Sequence, residues 1–328
     1  MKRPIHRRWW FILLEVLLAL SLCLAVVLSV STKLQERAIR FICSGGAASG
    51  ESAQTDVLTL AADASYHSGY PNGTLDLYAA PSDEPLPLVV YAHGGYYIGG
   101  DKSSATEYCK TIAAKGYAVA NLNYQLAPDG QYPTQILQVN EALSYLLKNA
   151  ESFGIDPSRV FIGGDSAGGH LASQMGLYYT NPDFCLKTGG TPALSAEQLR
   201  GVILLCGYYN TETVRETHFP MIADSIWVLT GEKNYEGTGV SARMNTVGQI
   251  TPDYPPVYVT CGDKDPFLSQ AGELINALEE NGVAVDAYLP ISAAEPLQHE
   301  YQAVLTSAAG AEAMNRLLAF LSEQSKLS

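Results

Sequence analysis

The most chemically informative residue of the chain is Ser166, which stands at the centre of the run Gly164-Asp165-Ser166-Ala167-Gly168. This run fits the pattern GxSxG. It follows directly on an apolar, strand-like stretch at 160–164 and opens a helical pattern, so the serine is expected on a sharp strand-to-helix turn. Such a turn exposes the serine oxygen above a sheet, and the helix N-terminus directs backbone N–H groups toward a developing anion. The pattern predicts that Ser166 is a nucleophile.

A serine hydroxyl needs a base and an orienting carboxylate before it attacks a carbonyl carbon. Of the six histidines, His299 follows the last strand-like stretch by a loop, from which its side chain can fold back over the sheet edge. Two acids, Asp265 and Asp263, follow the fifth strand-like stretch at the same edge. Asp265 leads into the next helix and is preferred as the acid, whereas Asp263 is expected to cap the turn or pair with Lys264.

Acyl transfer also needs backbone N–H donors that stabilise the tetrahedral oxyanion. The N–H of Ala167, directly after the nucleophile, is one expected donor. The other is expected from the loop after the first buried strand, which begins His93-Gly94-Gly95. Glycines let this backbone approach a substrate closely, so Gly94 or Gly95 is the predicted second donor, and His93 is expected to brace the loop.

These residues require a sheet whose carboxyl edge brings distant loops together. Short apolar stretches alternate with helical patterns along the chain, which is typical of α/β proteins with a mostly parallel sheet and helices on both faces. Six strands are predicted, at 87–92, 117–124, 160–164, 201–207, 257–262 and 283–289. Residues from about 208 to 255 interrupt the alternation and are predicted to form a small cap insertion at the edge where such sheets bind ligands.

Aromatic side chains near that edge are candidates for a substrate pocket. Tyr96 and Tyr97 follow the glycines of the predicted oxyanion loop, and His218 and Trp227 lie in the cap insertion. An aromatic-rich cap over the sheet edge would select acyl or alcohol groups. We therefore expect these four side chains to shape the pocket.

Composition excludes several other classes of function. The chain has 328 residues with 20 Lys+Arg and 33 Asp+Glu, a formal net charge of −13. This balance argues against a broad surface for nucleic acid. The cysteines and histidines show no spacing typical of metal sites, and the predicted chemistry needs neither a metal nor an organic cofactor.

The N-terminus has the pattern of an export or anchoring segment. A basic segment at 1–8 precedes an apolar stretch at 9–30, which as a helix would span about 33 Å, enough for a bilayer core of about 30 Å. The flanking cations favour a cytoplasmic N-terminus. We expect a transmembrane signal anchor at 9–30, a tether at 31–54 and an extracytoplasmic domain at 55–328. A cleaved signal peptide is the alternative, and it would give a secreted protein.

The chain resembles α/β-hydrolase carboxylesterases of the hormone-sensitive-lipase and feruloyl-esterase-like (BD-FAE-like) group. The resemblance rests on HGG at 93–95, NYQLAP at 123–128, GDSAGG at 164–169, Asp265-Pro266 and His299. It implies an α/β-hydrolase fold in which these positions supply the oxyanion loop, a packing segment, the nucleophile turn, the acid and the base. The chain departs from the family at Tyr96 and Tyr97, where the family has a third glycine and then a bulky aromatic residue.

Together these patterns predict a serine carboxylic ester hydrolase that acts on short-chain or acetyl esters, small-molecule or glycan, outside the cytoplasmic membrane. A serine exopeptidase or an acyltransferase of the same fold would pass through the same tetrahedral chemistry. A catalytically silent binding module is a third alternative, and loss of the serine, acid or base would be its sign. All three residues are present. The sequence does not fix an oligomeric state.

Overall fold

A computed structural model describes residues 6–43, 56–291 and 295–326. The predicted basic segment at 1–8 and the predicted tether at 31–54 therefore lie partly outside the described residues. The predicted domain at 55–328 falls almost wholly within them.

Among the described residues, eight strands form one sheet in the order β1-β2-β4-β3-β5-β6-β7-β8. The first three strands of this order pair antiparallel, and all later pairs are parallel. The parallel part places the carboxyl ends of β3, β5, β6 and β7 at one edge. The strands are β1 (Leu58–Ser65), β2 (Thr74–Ala79), β3 (Leu86–Ala92), β4 (Ala118–Leu122), β5 (Ile155–Asp165), β6 (Leu199–Leu205), β7 (Val257–Thr260) and β8 (Val285–Tyr288).

All six predicted strands are confirmed as β3 to β8, with ends that differ by a few residues. The sequence missed β1 and β2, which form the antiparallel edge. In β1 most side chains are exposed, so the strand lacks the continuous apolar run that marks a buried parallel strand.

Helices cover both faces of the sheet. The side chains of α3 and α11 pack on one face, against Val89 and Tyr91 of β3. Those of α4, α6 and α10 pack on the other, against Leu88 and Val90. The alternation of side chains along β3 divides the core into these two layers. The helices are α1 (His6–Val30), α2 (Thr32–Cys43), α3 (Thr106–Ala113), α4 (Thr134–Lys148), α5 (Ala150–Phe153), α6 (Ala167–Thr180), α7 (Pro182–Thr188), α8 (Ile222–Thr230), α9 (Gly239–Met244), α10 (Leu268–Glu280) and α11 (Ala308–Gln324).

The N-terminal region is helical and partly docked on the domain. Helix α1 includes the range 9–30 that was predicted as a membrane anchor. Over the described residues, no helix combines the length and the apolarity needed to cross a bilayer, so that span is not supported. Helix α2 lies inside the predicted tether. Its Gln35 and Ile39, one turn apart, are buried against the domain. This stretch is therefore a docked helix and not an extended tether.

The segment between β6 and β7 holds α8 and α9, and its Phe219 lines the same cavity as Ser166. Helix α8 packs against α2, so the N-terminal helix and the segment after β6 form a joint cover. This cover faces the turn between β5 and α6, where Ser166 lies.

Candidate active site

The turn from β5 to α6 holds Ser166 in an uncommon backbone conformation. Its φ is 53° and its ψ is −115°, a region that costs a non-glycine residue about 1–3 kcal/mol. The turn is tight because α6 begins close to β3. A Cβ atom at Gly168 would lie 2.0 Å from the carbonyl oxygen of Ala92, so only glycine fits there. The turn presents the serine oxygen at the carboxyl edge of the sheet.

Three side chains from separate loops converge at this turn. The Nε2 atom of His299 lies 3.0 Å from the Oγ atom of Ser166. On the other side of the ring, Nδ1 lies 2.8 Å from Oδ2 of Asp265. The second carboxylate oxygen, Oδ1, accepts the N–H of Phe267 at 2.9 Å. Because a carboxylate only accepts, Nδ1 carries the proton and Nε2 is free to accept from the serine hydroxyl.

Burial and charge set the protonation of this pair. Burial alone would raise the pKa of Asp265, but the hydrogen bond and charge of His299 outweigh it and hold that pKa below its usual value. Burial alone would lower the pKa of His299, but Asp265, followed by the charges of Glu300 and Asp165, raises that pKa above the usual value. The site therefore favours the imidazolium that forms when serine loses its proton.

The other acid considered from the sequence, Asp263, has a different contact. Its Oδ1 accepts the N–H of Leu297 at 2.9 Å, and the N–H of Lys264 donates to the carbonyl oxygen of Leu297 at 3.0 Å. Asp263 therefore holds the loop that carries His299 and does not touch the imidazole. This contact fixes the loop two residues before His299.

One of the three backbone N–H groups predicted to stabilise an oxyanion already donates to a side chain of the protein. The N–H of Gly94 donates to Oδ2 of Asp165 at 3.0 Å, so its assignment as a donor to the oxyanion is wrong in this structure. Within the described parts of the chain, the N–H groups of Gly95 and Ala167 have no protein acceptor. Gly95 has a φ of +113°, and a Cβ atom there would lie 2.3 Å from the carbonyl oxygen of Gly99. Of the three predicted donors, Gly95 and Ala167 thus remain candidates for contact with an oxyanion.

A cavity of about 540 Å³ opens onto the serine. This volume suits a small organic ligand. Its aromatic wall consists of Tyr96 and Phe219, whose ring centres lie 5.5 Å apart. Phe219 also contacts the ring of His299 edge-on, at 4.8 Å between centres. Ser166 and His299 line the cavity floor, so a ligand in it reaches the reactive atoms.

Three of the four predicted pocket residues do not line this cavity. Tyr97 is buried, and its hydroxyl bonds to Nδ1 of His170 at 2.8 Å. His218 is exposed, and the next residue, Phe219, turns inward in its place. Trp227 is buried in α8, where Lys233 lies over its ring. Tyr96 alone of the four contributes to the cavity wall.

Sequence reasoning missed several lining residues. Arg40, Ile42 and Cys43 reach the cavity from α2, which the sequence assigned to a tether. Glu300 was also missed, although it directly follows the predicted base. It lies beside Asp165, the residue before Ser166. Its place directly after the predicted base was the only signal in the sequence.

The described residues contain one group of three metal-type ligands, and it overlaps the site. Ligand atoms of Cys206, Asp265 and His299 lie within 4.8 Å of one another. The Cys206 thiol donates to Oε1 of Gln302 at 3.0 Å, while Asp265 and His299 bond to each other. A metal ion here would break the hydrogen bond between acid and base. The atoms that would bind a metal ion here are therefore already used in hydrogen bonds within the protein.

Comparison with known proteins places this geometry in a family. The family model BD-FAE matches residues 75–278, which include the nucleophile turn and Asp265. This chain belongs to the BD-FAE family. Solved structures show the same architecture: esterase B from Lactobacillus rhamnosis superposes with a TM-score of 0.78 at 24% identity, over 90% of this chain and 95% of that one. The fold of this BD-FAE chain is the α/β-hydrolase fold.

Curated relatives of this BD-FAE chain include named esterases. Esterase LipQ of Mycobacterium tuberculosis is 25% identical over 232 residues, covering 69% of this chain and 54% of LipQ. Ethyl acetate hydrolase of Pseudomonas putida is 37% identical over 214 residues, covering 64% of this chain and 66% of that relative. The chain thus spans about half the length of LipQ and about two thirds of the second relative.

Proposed function

We propose that the chain is a serine carboxylesterase that forms a covalent acyl-enzyme at Ser166. The observation that carries this proposal is the unbroken chain of contacts from the Oγ atom of Ser166 through His299 to Asp265 at the floor of an open cavity. The names of the relatives, esterase LipQ and ethyl acetate hydrolase, support the same chemistry.

Acylation begins when an ester carbonyl lies above Ser166. His299 takes the serine proton on Nε2 while Oγ bonds to the carbonyl carbon, and the carbonyl oxygen gains the negative charge. The N–H groups of Gly95 and Ala167 stabilise that oxyanion, and each such donor is worth about 3–4 kcal/mol. Collapse breaks the bond to the alcohol oxygen, which leaves with the proton from Nε2.

Deacylation repeats these steps with water. His299 removes one proton from a water molecule as the water oxygen bonds to the acyl carbon. The tetrahedral intermediate then expels the Oγ atom of Ser166, which takes back the proton from Nε2. The products are a carboxylic acid, an alcohol and the original enzyme, so atoms and charge balance without any cofactor.

Short-chain or acetyl esters are the substrates we propose, on small molecules or glycans. The cavity volume of about 540 Å³ and its aromatic wall of Tyr96 and Phe219 suit a compact acyl group. The test is kcat/KM for p-nitrophenyl esters from acetate to decanoate, with acetylated glycans alongside and Ser166→Ala as the control. We expect a maximum at short chains and a loss of more than about 10⁴-fold in the variant. A maximum at decanoate would contradict the chain-length proposal, and an active variant would contradict the mechanism.

We further propose that the catalytic domain works outside the cytoplasmic membrane. The basic segment at 1–8 and the apolar stretch at 9–30 support this, since cations before an apolar segment favour a cytoplasmic N-terminus. C-terminal fusions to alkaline phosphatase and to green fluorescent protein test it in a bacterial host. We expect active phosphatase and no fluorescence. Fluorescence with inactive phosphatase would contradict an exported domain.

A further inference from the structure

Glu300 places a second carboxyl group beside the base of the proposed reaction. The residue directly follows His299 and has a φ of 61°, which turns its side chain back into the cavity. Its Oε1 atom lies 3.7 Å from Nε2 of His299. That nitrogen is the atom that exchanges protons with Ser166, so Glu300 faces the reacting side of the ring.

The groups around Glu300 come from β5, from α2, from the loops after β3 and β7, and from the loop of Glu300 itself. Asp165 at the end of β5 shares a hydrogen bond with it, while its own oxygens accept from the hydroxyl of Tyr91 and the N–H of Gly94. The charged or titratable groups that face it are Asp165, His299, Asp265 behind the imidazole, Tyr96 from the oxyanion loop, and Arg40 and Cys43 from α2. Arg40 is already paired with Glu36 at 2.9 Å.

These surroundings favour the protonated form of the Glu300 carboxyl. Burial and the charge of Asp165 raise the pKa of Glu300 to about 8, against a smaller opposing effect of His299. A protonated carboxyl that donates to Asp165 still has lone pairs that accept a hydrogen bond. Glu300 therefore offers an acceptor to the cavity.

The distance between the two acceptors defines a binding position for one oxygen. An oxygen atom about 2.8 Å from Nε2 of His299 can also lie about 2.8 Å from Oε1 of Glu300, because the acceptors are 3.7 Å apart. A water molecule has two protons and can donate to both acceptors. A simple alcohol has one proton and can donate to only one of them.

We propose that Glu300 holds the water molecule that attacks the acyl-enzyme and thereby favours hydrolysis over transfer to simple alcohols. This inference rests on the proposed function, because it concerns the deacylation step. In that step one water proton passes to Nε2 of His299 while the other stays hydrogen-bonded to Glu300. The water oxygen bonds to the acyl carbon, and the proton on Nε2 later returns to Ser166, so Glu300 gains and loses nothing.

The direct test measures how the acyl-enzyme divides between water and methanol. The full-length protein is given p-nitrophenyl acetate in the presence of methanol, and the ratio of methyl acetate to acetate is measured for wild type, Glu300→Leu and Glu300→Gln. The ratio is independent of the amount of active enzyme. We expect Glu300→Leu to raise it about tenfold, which is the effect of one lost hydrogen bond to the attacking water.

Glu300→Gln should stay within about threefold of wild type, because an amide donates to Asp165 and still accepts from water, as the protonated acid does. Glu312→Leu on α11 is the matched control, since Glu312 pairs with Arg316 on the surface and should leave the ratio unchanged. A wild-type ratio in Glu300→Leu with hydrolysis intact would overturn this inference alone. Absence of any hydrolysis by wild type would overturn the proposed function.

A second readout is the pH dependence of kcat/KM for p-nitrophenyl acetate. As the pH rises toward the pKa of Glu300, about 8, the carboxylate that forms stabilises the imidazolium and lets His299 keep its proton to a higher pH. Because the base must be neutral to act, Glu300→Gln should reach full kcat/KM at a lower pH than wild type. An unchanged profile, or a shift to higher pH, would contradict the proximity of the two groups.

Discussion

Asp265→Asn is expected to inactivate the enzyme by reversing the tautomer of His299. The Oδ1 atom of Asp265 accepts the N–H of Phe267, and Oδ2 faces Nδ1 of His299. In the variant only the carbonyl oxygen can accept, so it stays on the N–H of Phe267, and the amide nitrogen points at the imidazole. Nδ1 must then accept a hydrogen bond. The ring proton therefore moves to Nε2, where it faces the hydroxyl of Ser166.

The size of this effect follows from what the imidazole loses. A protonated Nε2 cannot take the serine proton, and the imidazolium no longer has the buried negative charge of Asp265 beside it. In other serine hydrolases with this arrangement, the same change lowers kcat by about 10⁴-fold. That loss corresponds to roughly 5.5 kcal/mol of transition-state stabilisation. Asparagine and aspartate have nearly the same shape, so the change leaves no cavity.

The assay is kcat/KM for p-nitrophenyl acetate between pH 7 and 9, with Asp263→Asn as the matched control. Asparagine at 263 still offers an oxygen to the N–H of Leu297, so the control should stay within about threefold of wild type. Two results would refute the reasoning. One is an Asp265→Asn variant within tenfold of wild type, and the other is an equal loss in the control.

Three further outcomes are expected. Gly168→Ala should lower the free energy of unfolding in urea by about 3 kcal/mol, because the new Cβ would meet the carbonyl oxygen of Ala92. Gly239→Ala is the control and should leave stability unchanged, because the space around its Cβ is open. Equal unfolding curves for the two variants would argue against the tight turn. Phe219→Ala should change the preference among acyl chain lengths, measured as kcat/KM, because Phe219 lines the cavity. Trp227→Ala should lower thermal stability and keep that preference, because Trp227 is buried away from the cavity. The reverse pattern would contradict the assignment of Phe219 to the cavity wall. Because the native pKa of Asp265 lies below its usual 3.8, its contribution to stability is present above that pH and is lost as the pH falls through the native pKa. The urea stability of Asp265→Asn should therefore depend less on pH below about 4 than that of wild type, and parallel curves would contradict the lowered pKa.

Most of the parallel part of the sheet was predictable because its strands are buried on both faces. Strands β3, β4, β6 and β7 and the second half of β5 are short apolar runs, and such runs are visible without knowledge of tertiary contacts. Strand β8, at the end of the sheet, is only partly buried. The antiparallel edge was not visible in this way, because β1 exposes most of its side chains. Helix α2 escaped prediction for a related reason: it buries only Gln35 and Ile39, and docking of these two side chains depends on the surface beneath them.

In the candidate site, too, the residues identified by local pattern were predictable, whereas those that depend on tertiary contacts were not. Ser166, Asp265 and His299 each follow a strand at the carboxyl edge, so chain order alone places them on one side of the sheet. The donor role of Gly94 failed because the carboxylate of Asp165 takes its N–H, a contact that spans 71 residues. Tyr97 is buried against His170 while Tyr96 lines the cavity, although their φ angles, 62° and 60°, are nearly equal.

The cavity wall required contacts that no local pattern reveals. Phe219 lines the cavity in place of the predicted His218, which has a left-handed backbone conformation and an exposed side chain. Glu300 reaches the reacting side of His299 through a positive φ of its own. Both depend on backbone conformations that sequence composition does not specify for these residue types.

Covalent labelling shows whether Ser166 is a nucleophile activated by His299. Folded wild-type protein is treated with a fluorophosphonate, and the adduct is located by mass spectrometry of its peptides. We expect one adduct per chain, on Ser166, and a much slower reaction in His299→Ala. Folded protein that remains unlabelled, or that is labelled at another residue while Ser166 stays unmodified, would contradict this expectation.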